Sequence, residues 1–456
     1  MHRESESSVS LYGGSSPANG QGTAIRAGRV PVAVYGLGKM GLPLATVFAE
    51  VTGNTTGVDV DASVVEAIND GDCPVSGEPG LPEAMREVVA DGSFVATTEG
   101  DAAAARASVH VVIVPTLVED GSPDLTTLRA AISAVASGLE PGDLVCVEST
   151  VPPGTCDEVV APLLAEESDC DPGEFGVAFC PERTASGRAL RDVRGAYPKV
   201  VGGVDPESTR AAAALYDVLT DNEVHAVSDA TTAECVKVFE GVYRDVNIAL
   251  ANELATLTEE MGVDVFEAIE TANAQPYCDL HRPGAGVGGH CIPYYPYFLI
   301  DTTETGTPLL RRARRINDAM PGYTVGKLCE ALRETGVALS DATVAVLGLA
   351  YRPGVDETRE SPGVAIASLL RDAGVDVIGV DPVVDLNAFD VRSAEVGDLP
   401  EMELDGVVVA TAHDAFGTLD WREIDGAVVV DGRNVVDGTE FETPVTTVGV
   451  GESGRE

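Results

Sequence analysis

Lysine is nearly missing from this chain. It has 456 residues and 29 basic ones, but only Lys39, Lys199, Lys237 and Lys327 are lysines. Basic charge of any kind is scarce, since 74 acidic residues leave a formal net charge of −45. The acids run along the whole chain, so the surface repels phosphate backbones and a nucleic-acid partner is not expected. Long apolar runs are also missing. Stretches such as residues 109–118 end near ten residues, well short of the roughly 20 that cross a bilayer. The opening Met1-His-Arg-Glu-Ser-Glu6 lacks the basic start and apolar stretch of a signal peptide. We therefore expect a cytoplasmic protein without membrane attachment. The nine cysteines contain no Cys-x-x-Cys pair, which argues against a zinc site or a disulfide framework and for no bound metal. Each cysteine then reads as a small buried apolar residue unless its neighbours argue otherwise.

Apolar residues are plentiful, at 44%. That share supports real cores and is too high for a chain disordered by its charge. Net charge of this size repels itself unless salt screens it, and points to a high-salt cytoplasm. Where lysine is this rare, a lysine inside a chemical motif is not casual surface.

The length gives a prior of about three domains. Residues 1–29 are rich in Ser and Gly without periodicity and read as a disordered tail. Residues 30–205 alternate β-branched runs with Ala- and Glu-rich helical patterns, the signature of a doubly wound parallel sheet. Residues 206–332 are expected to be helical. Within them, residues 231–261 contain no proline, with Asp229 or Thr231 to cap the start and Gly262 to stop the helix. This helix is expected to be about 45 Å long, to join the halves of the molecule and to carry a dimer interface. A second α/β pattern fills residues 333–448, and residues 449–456 read as a frayed tail. The fold class is α/β, with two Rossmann-like domains joined by a helical one.

The turn Gly36-x-Gly38-x-x-Gly41 follows a predicted strand and opens a predicted helix, and Asp59 ends the next strand. The first glycine suits a tight turn, the second lets backbone approach a pyrophosphate, and the third allows close helix packing. The helix N-terminus favours phosphate. Asp59 can accept from a ribose 2′-hydroxyl and repels a 2′-phosphate, so the expected cofactor is NAD rather than NADP. In Pro283-Gly-Ala-Gly-Val-Gly-Gly-His290-Cys291-Ile-Pro293 a cysteine sits beside a histidine in a glycine-rich turn. Such a turn leaves the thiol accessible, and a thiolate there is a nucleophile.

With these two turns stand Glu148-Ser-Thr-Val-Pro-Pro-Gly-Thr155, Cys180-Pro-Glu-Arg183, Ala233-Glu-Cys-Val-Lys237, Tyr243-Arg-Asp-Val-Asn-Ile-Ala-Leu-Ala-Asn-Glu253, Gly348-Leu-Ala-Tyr-Arg-Pro353 and Arg359-Glu-Ser-Pro362. In order and spacing the set resembles the nucleotide-sugar dehydrogenase family, which includes the UDP-glucose and GDP-mannose dehydrogenases, over about residues 31–440. It most resembles the N-acetylhexosamine branch, to which the UDP-N-acetylmannosamine dehydrogenases belong. The resemblance implies an NAD-dependent four-electron oxidation of a sugar C6 alcohol to a uronate on a UDP-sugar substrate, by a homodimer or higher homo-oligomer. It makes Cys291 the nucleophile, Lys237 the oxyanion stabiliser, and Thr150 and Glu182 the water and base positions. It places Lys39, Met40, Thr116 and Thr150 with the glycine turn around NAD. Arg183, Lys237, Arg244, Asn247, Gly288, His290, Tyr351, Arg352 and Arg359 are implied substrate contacts. Arg244 and Asn247 fall on the helical stripe of Lys237, at i+7 and i+10.

The chain departs from the family at two sites. Gly241 stands where Asn is usual, and Tyr295 where an Asp is thought to act with the lysine on water. Arg352 replaces a common Lys and keeps the cation with a different geometry. Two alternatives stay open within the family: UDP-glucose as substrate, or binding of NAD and nucleotide sugar without full catalysis. A two-electron β-hydroxyacid dehydrogenase would share Gly-Leu-Gly-x-Met-Gly and a helix lysine, but would lack the Gly-Gly-His-Cys turn.

The charge itself generates a prediction. The Debye length is about 10 Å at 0.1 M salt and about 3 Å at 1 M, so carboxylate repulsion is left unscreened in dilute buffer. Melting temperature and activity should both fall on transfer from molar KCl to low salt. An unchanged melt in low salt would contradict this.

Overall fold

A computed structural model describes residues 9–14, 18–119, 121–424, 426–436 and 445–451. By packing, the chain divides into two compact units: Met1–Phe239 with Tyr297–Thr303, and Glu240–Pro296 with Glu304–Glu456.

The first unit is built on strands β1 (Val32–Tyr35), β2 (Thr55–Val58), β3 (Phe94–Thr97) and β4 (Val109–Val112), then a small hairpin of β5 (Leu117–Glu119) and β6 (Ser122–Asp124). Next come β7 (Leu144–Val147), β8 (Gly176–Phe179), β9 (Lys199–Gly203) and β10 (Val224–Ala226). Eight of them form one sheet in the order β10-β9-β8-β7-β4-β1-β2-β3. All neighbours are parallel except β8 and β9. Every residue of β1, β4, β7 and β8 is buried. A sheet with both faces covered by helices produces the continuous apolar runs read in the sequence.

The second unit carries β11 (Thr343–Leu347), β12 (Asp376–Val380), β13 (Arg392–Ser393), β14 (Gly406–Val409), β15 (Val428–Asp431) and β16 (Val445–Thr447). They make a fully parallel sheet ordered β13-β12-β11-β14-β15-β16. Helix Pro308–Thr335 and helix Pro362–Asp372 pack with it. Both sheets therefore contain the doubly wound order 3-2-1-4-5-6, with β1 and β11 in the equivalent central place.

Helix Ala230–Met261 is 32 residues long, close to expectation. The Asp229 carboxylate accepts from the Thr232 N–H at 2.7 Å, and Gly262, at φ 69°, follows its end. Its residues belong to the first unit as far as Phe239 and to the second from Glu240 onward. No helix of the described residues is long and apolar enough to cross a membrane.

Three expectations about boundaries are corrected. The stretch read as a disordered tail contains helix Ala18–Arg26, although residues 1–8 and 15–17 lie outside the described set. Leu11 and Ile25 are fully buried, and the Arg210 guanidinium donates to the Leu11 carbonyl at 2.6 Å and to Gln21 Oε1 at 2.8 Å. A few apolar residues scattered through Ser and Gly suffice here, because an existing core receives them. The boundary at 205 is also displaced. Helix Pro206–Leu219 buries Ala211, Ala212, Leu215, Tyr216 and Leu219 in the first core, and β10 extends the first sheet beyond it. At the far end, residues 449–451 are held rather than frayed. The Gly449 N–H donates to Glu259 at 2.7 Å, its carbonyl accepts from the Val265 N–H, and residues 452–456 lie outside the described set.

The N-terminal correction is testable. Ile25→Ala deletes a fully buried side chain and should cost about 2–5 kcal/mol by denaturant unfolding. A loss below about 0.5 kcal/mol is what a solvated tail residue would give.

Candidate active site

The glycine turn closes the C-terminal end of β1. Gly36 has φ 98°, a conformation that side chains other than glycine rarely adopt. A Cβ on Gly41 would overlap the Gly36 carbonyl oxygen, whereas a Cβ on Gly38 would meet nothing within 4 Å. The first and third glycines are thus demanded by the fold itself. The middle one leaves backbone open toward a bound group. Helix Gly41–Thr52 starts immediately beyond it. Asp59, just past β2, accepts from the Leu37 N–H at 2.8 Å and from the Asp61 N–H at 3.0 Å. On the other side of β1, past the ends of β4 and β7, the Thr116 hydroxyl donates to the Thr150 carbonyl at 2.5 Å. An exposed glycine backbone, a helix N-terminus and an acid at the second strand fit a dinucleotide with a free 2′-hydroxyl.

Lys237 lies in the same unit and is buried. Its Nζ donates to the Glu182 carbonyl oxygen and stands 3.9 Å from the Glu182 carboxylate. The Thr184 hydroxyl, two residues on, donates to Met40 Sδ at 3.1 Å. The Cys180-Pro-Glu-Arg183 segment is therefore tied to the glycine turn through Met40 and to the helix through Lys237. Arg183 donates to the Pro198 carbonyl at 3.0 Å. One turn before Lys237, buried Glu234 accepts from the N–H groups of Gly154 and Cys156, at 2.5 and 2.8 Å. It thereby anchors the loop that follows Thr150. Burial pushes its carboxyl up to about 7 against the pull of these donors.

The second unit holds the cysteine turn. Of the nine cysteines, all within the described residues, only Cys291 is exposed. Burial raises the Cys156 and Cys180 thiols well above their usual range, which leaves them inert. Gly289 sits at φ 93°, and its N–H donates to the Arg359 carbonyl at 2.9 Å. A Cβ on Gly288 would come within 2.9 Å of the Tyr351 side chain, and one on Gly289 within 2.8 Å of the Tyr351 ring. His290 Nε2 pairs with Glu357, and the Tyr351 N–H donates to the Glu357 carbonyl. Gly288, His290, Tyr351 and Arg359 are thus brought together around the turn that bears Cys291. Arg352 follows Tyr351 on the same loop, half-buried.

Two expected ligand contacts differ in setting. Arg244 is exposed. Asn247 has its amide engaged: Nδ2 donates to the Asp279 carbonyl at 2.7 Å and to the Tyr243 hydroxyl at 3.0 Å, and Oδ1 accepts from the His281 N–H at 2.9 Å. Its side chain secures the segment leading into the cysteine turn.

Several anchors escaped the sequence reading. Asn252 Oδ1 accepts from the Gly284 N–H at 2.9 Å, and its Nδ2 donates to Asn317. Asn317 and Arg314 both donate to buried Asp245. Arg433 donates to the carbonyls of Ala410 and Gly286, at 2.6 and 3.2 Å, and burial lowers its guanidinium to about 10. The acids and amides of the Tyr243–Glu253 motif were a visible signal, but their partners lie far away in sequence. The two departures also meet. A Cβ on Gly241 would overlap the buried Tyr295 ring, and the Tyr295 N–H donates to the Cys291 carbonyl at 2.9 Å. The small residue and the large one are matched in volume.

A doubly wound sheet with an open glycine turn, an acid after its second strand and a buried helix lysine defines a nucleotide-dependent dehydrogenase. Comparison with known proteins identifies which kind. Three models of the UDP-glucose/GDP-mannose dehydrogenase family match: the NAD binding domain over residues 30–220, the central domain over 231–319 and the UDP binding domain over 345–438. A UDP-N-acetyl-D-mannosamine dehydrogenase of Pyrococcus horikoshii is 37% identical over 411 residues, covering 89% of this chain and 96% of the relative. An NDP-N-acetyl-D-galactosaminuronic acid dehydrogenase of Ralstonia solanacearum is 36% identical over 415 residues, with the same shares of both chains. The solved structure of a UDP-N-acetylmannosamine dehydrogenase from Pyrococcus horikoshii superposes with a TM-score of 0.87 at 35% identity, over 94% of this chain and all of the other. The chain belongs to the UDP-glucose/GDP-mannose dehydrogenase family. It is an NAD-dependent nucleotide-sugar dehydrogenase.

Asp59 predicts cofactor choice. The kcat/KM for NAD should exceed that for NADP, and Asp59→Ala should narrow the gap by removing repulsion of a 2′-phosphate. Equal use of both cofactors by the unsubstituted enzyme would overturn this role.

Proposed function

We propose that the enzyme oxidises the C6 alcohol of a UDP-N-acetylhexosamine to the uronate, with UDP-N-acetylmannosamine as its substrate. The observation that carries this reading is the single exposed cysteine, Cys291, held in a glycine turn against Tyr351 and Arg359. Relatives named for N-acetylmannosamine and N-acetylgalactosaminuronic acid support the sugar class.

Bound NAD⁺ supplies the hydride-accepting chemistry, twice for each sugar. The chain's own residues do the rest. Glu182, or a water held with Thr150, takes the proton of the C6 hydroxyl in the first oxidation. Cys291 Sγ adds to the aldehyde carbon as a thiolate, forming a thiohemiacetal. Loss of the second hydride gives a thioester, and water cleaves the sulfur–acyl bond to release the uronate and regenerate the thiol. Lys237 places positive charge near the oxyanion of each tetrahedral step. Tyr295 cannot serve as a carboxylate base near neutral pH, since an ordinary phenol ionises near about 10. The base for hydrolysis is therefore assigned to Glu182. Arg183, Arg244, His290, Arg352 and Arg359 supply cations and donors for the diphosphate and sugar, with Asn247 holding its loop in place.

The reading includes a homodimer in a cytoplasm rich in salt. Phe239, Tyr243, Leu250, Leu257 and Met261 are exposed on helix Ala230–Met261 at near-heptad spacing. Such a stripe suits burial against a second copy.

Cys291→Ser should abolish uronate formation and leave NAD binding intact. The assay follows NADH in molar KCl with UDP-N-acetylmannosamine, UDP-N-acetylglucosamine, UDP-glucose and GDP-mannose. Two NADH per sugar support full oxidation, one supports a two-electron enzyme, and none supports binding alone. Uronate formation by the serine variant at the unsubstituted rate would defeat covalent capture.

A further inference from the structure

Lys199 starts β9 and lies behind the segment that meets Lys237. Its ammonium has three donors and three acceptors: Glu148 Oε2 at 2.8 Å, the Cys180 carbonyl at 2.9 Å and the Pro181 carbonyl at 3.3 Å. Glu148 is fully buried at its side chain, and its other oxygen accepts from the buried Tyr216 hydroxyl. The same ammonium stands 4.4 Å above the Tyr216 ring. The next carbonyl along the chain, that of Glu182, accepts from Lys237. Three consecutive carbonyls are thus divided between two of the four lysines in the chain. Lys199 itself is only partly buried, but its partner Glu148 is wholly buried, and a buried carboxylate is costly unless it is paired. All of these partners are fixed by β7, β8 and the helix of Tyr216.

We propose that Lys199, seated on Glu148 and Tyr216, is the positioning residue that sets the Glu182 carbonyl and carboxylate against Lys237. The inference rests on the dehydrogenase chemistry assigned above to Lys237 and Glu182. Lys199 touches no reacting atom in this scheme and acts through the segment it holds. A point-like ammonium can serve three convergent oxygens, whereas a planar guanidinium presents its donors in a fork. That geometry suits lysine at this position, in a chain whose other cations are almost all arginine.

The test compares the full-length enzyme with Lys199→Met/Glu148→Gln, which removes the cation together with the buried charge it balances. Melting temperature and NAD titration report folding and the glycine turn, and both should stay close to the unsubstituted values. With the best nucleotide sugar, kcat should fall roughly 10- to 100-fold, the loss expected when a catalytic group is misplaced by about an ångström, while KM for NAD stays constant. The alkaline limb of kcat should move to lower pH, because Lys237 loses acceptors that favour its charged form. An enzyme that keeps its kcat within twofold and its pH profile unmoved overturns the inference alone. No NADH from the unsubstituted protein with any nucleotide sugar overturns the dehydrogenase chemistry and this inference together. Should the double variant not fold, Lys199→Arg decides: reduced kcat with an intact melt supports the positioning role, and unchanged kcat refutes it.

Discussion

Both units depend on one steric constraint: a helix must begin where the preceding strand's turn leaves no room for a side chain. A Cβ on Gly41 would overlap the Gly36 carbonyl, and a Cβ on Gly363 would overlap the Gly348 carbonyl. Each contact follows the central strand of its sheet. A carboxylate after the second strand closes each arrangement. Asp59 accepts from the Leu37 N–H, and Asp381 accepts from the N–H groups of Leu349 and Ala350 at 2.7 and 2.8 Å. The His413 ring, 3.3 Å away, and the N–H groups of Ala350, Val383 and Val384 hold the Asp381 carboxyl down to about 2 against the penalty of its burial. The two sheets thus share an order, a turn and an acid.

They diverge in what lies inside the turn. In the first, only residues 37–40 separate the glycines, and the middle one faces open space. In the second, residues 349–362 intervene. That longer loop carries Tyr351, Arg352, Glu357 and Arg359, against which the cysteine turn is laid. One scaffold therefore serves two chemistries. The short form leaves backbone free for a cofactor's phosphates, and the long form supplies the side chains against which the exposed Cys291 turn is laid.

The parts legible in the sequence were those whose physics is local. Gly36, Gly38, Gly41 and Asp59 could be read because a strand, a turn and a helix start lie within a few residues. The buried strands showed as β-branched runs. The long helix showed as an absence of proline bounded by Asp229 and Gly262. Exposure of Cys291 followed from its glycine neighbours. What could not be read depends on partners far apart in the chain. Asn252 holds Gly284 and Asn317, and nothing near Asn252 announces either. Helical spacing puts Asn247 on the Lys237 stripe, but it does not report that its amide is engaged by Tyr243, Asp279 and His281. The helix Ala18–Arg26 was read as tail because it has no long apolar run, and it takes its stability from the core it joins.

The exchange of Gly241 and Tyr295 shows the same limit from another side. Taken singly, each is a loss: an amide becomes hydrogen, and an acid becomes a phenol. Packed together, the ring occupies the space that the absent side chain leaves, so the cysteine turn keeps its support. What changes is the chemistry beside the turn, from a carboxylate to a buried aromatic face. Support and acid–base function are separable at this position. The Tyr295 ring supplies the support, whereas an ordinary phenol, ionising near about 10, does not replace a carboxylate base near neutral pH. In the proposed chemistry that base is Glu182. Its carbonyl accepts from Lys237, and the carbonyls of the two residues before it accept from Lys199, in a chain that holds only four lysines.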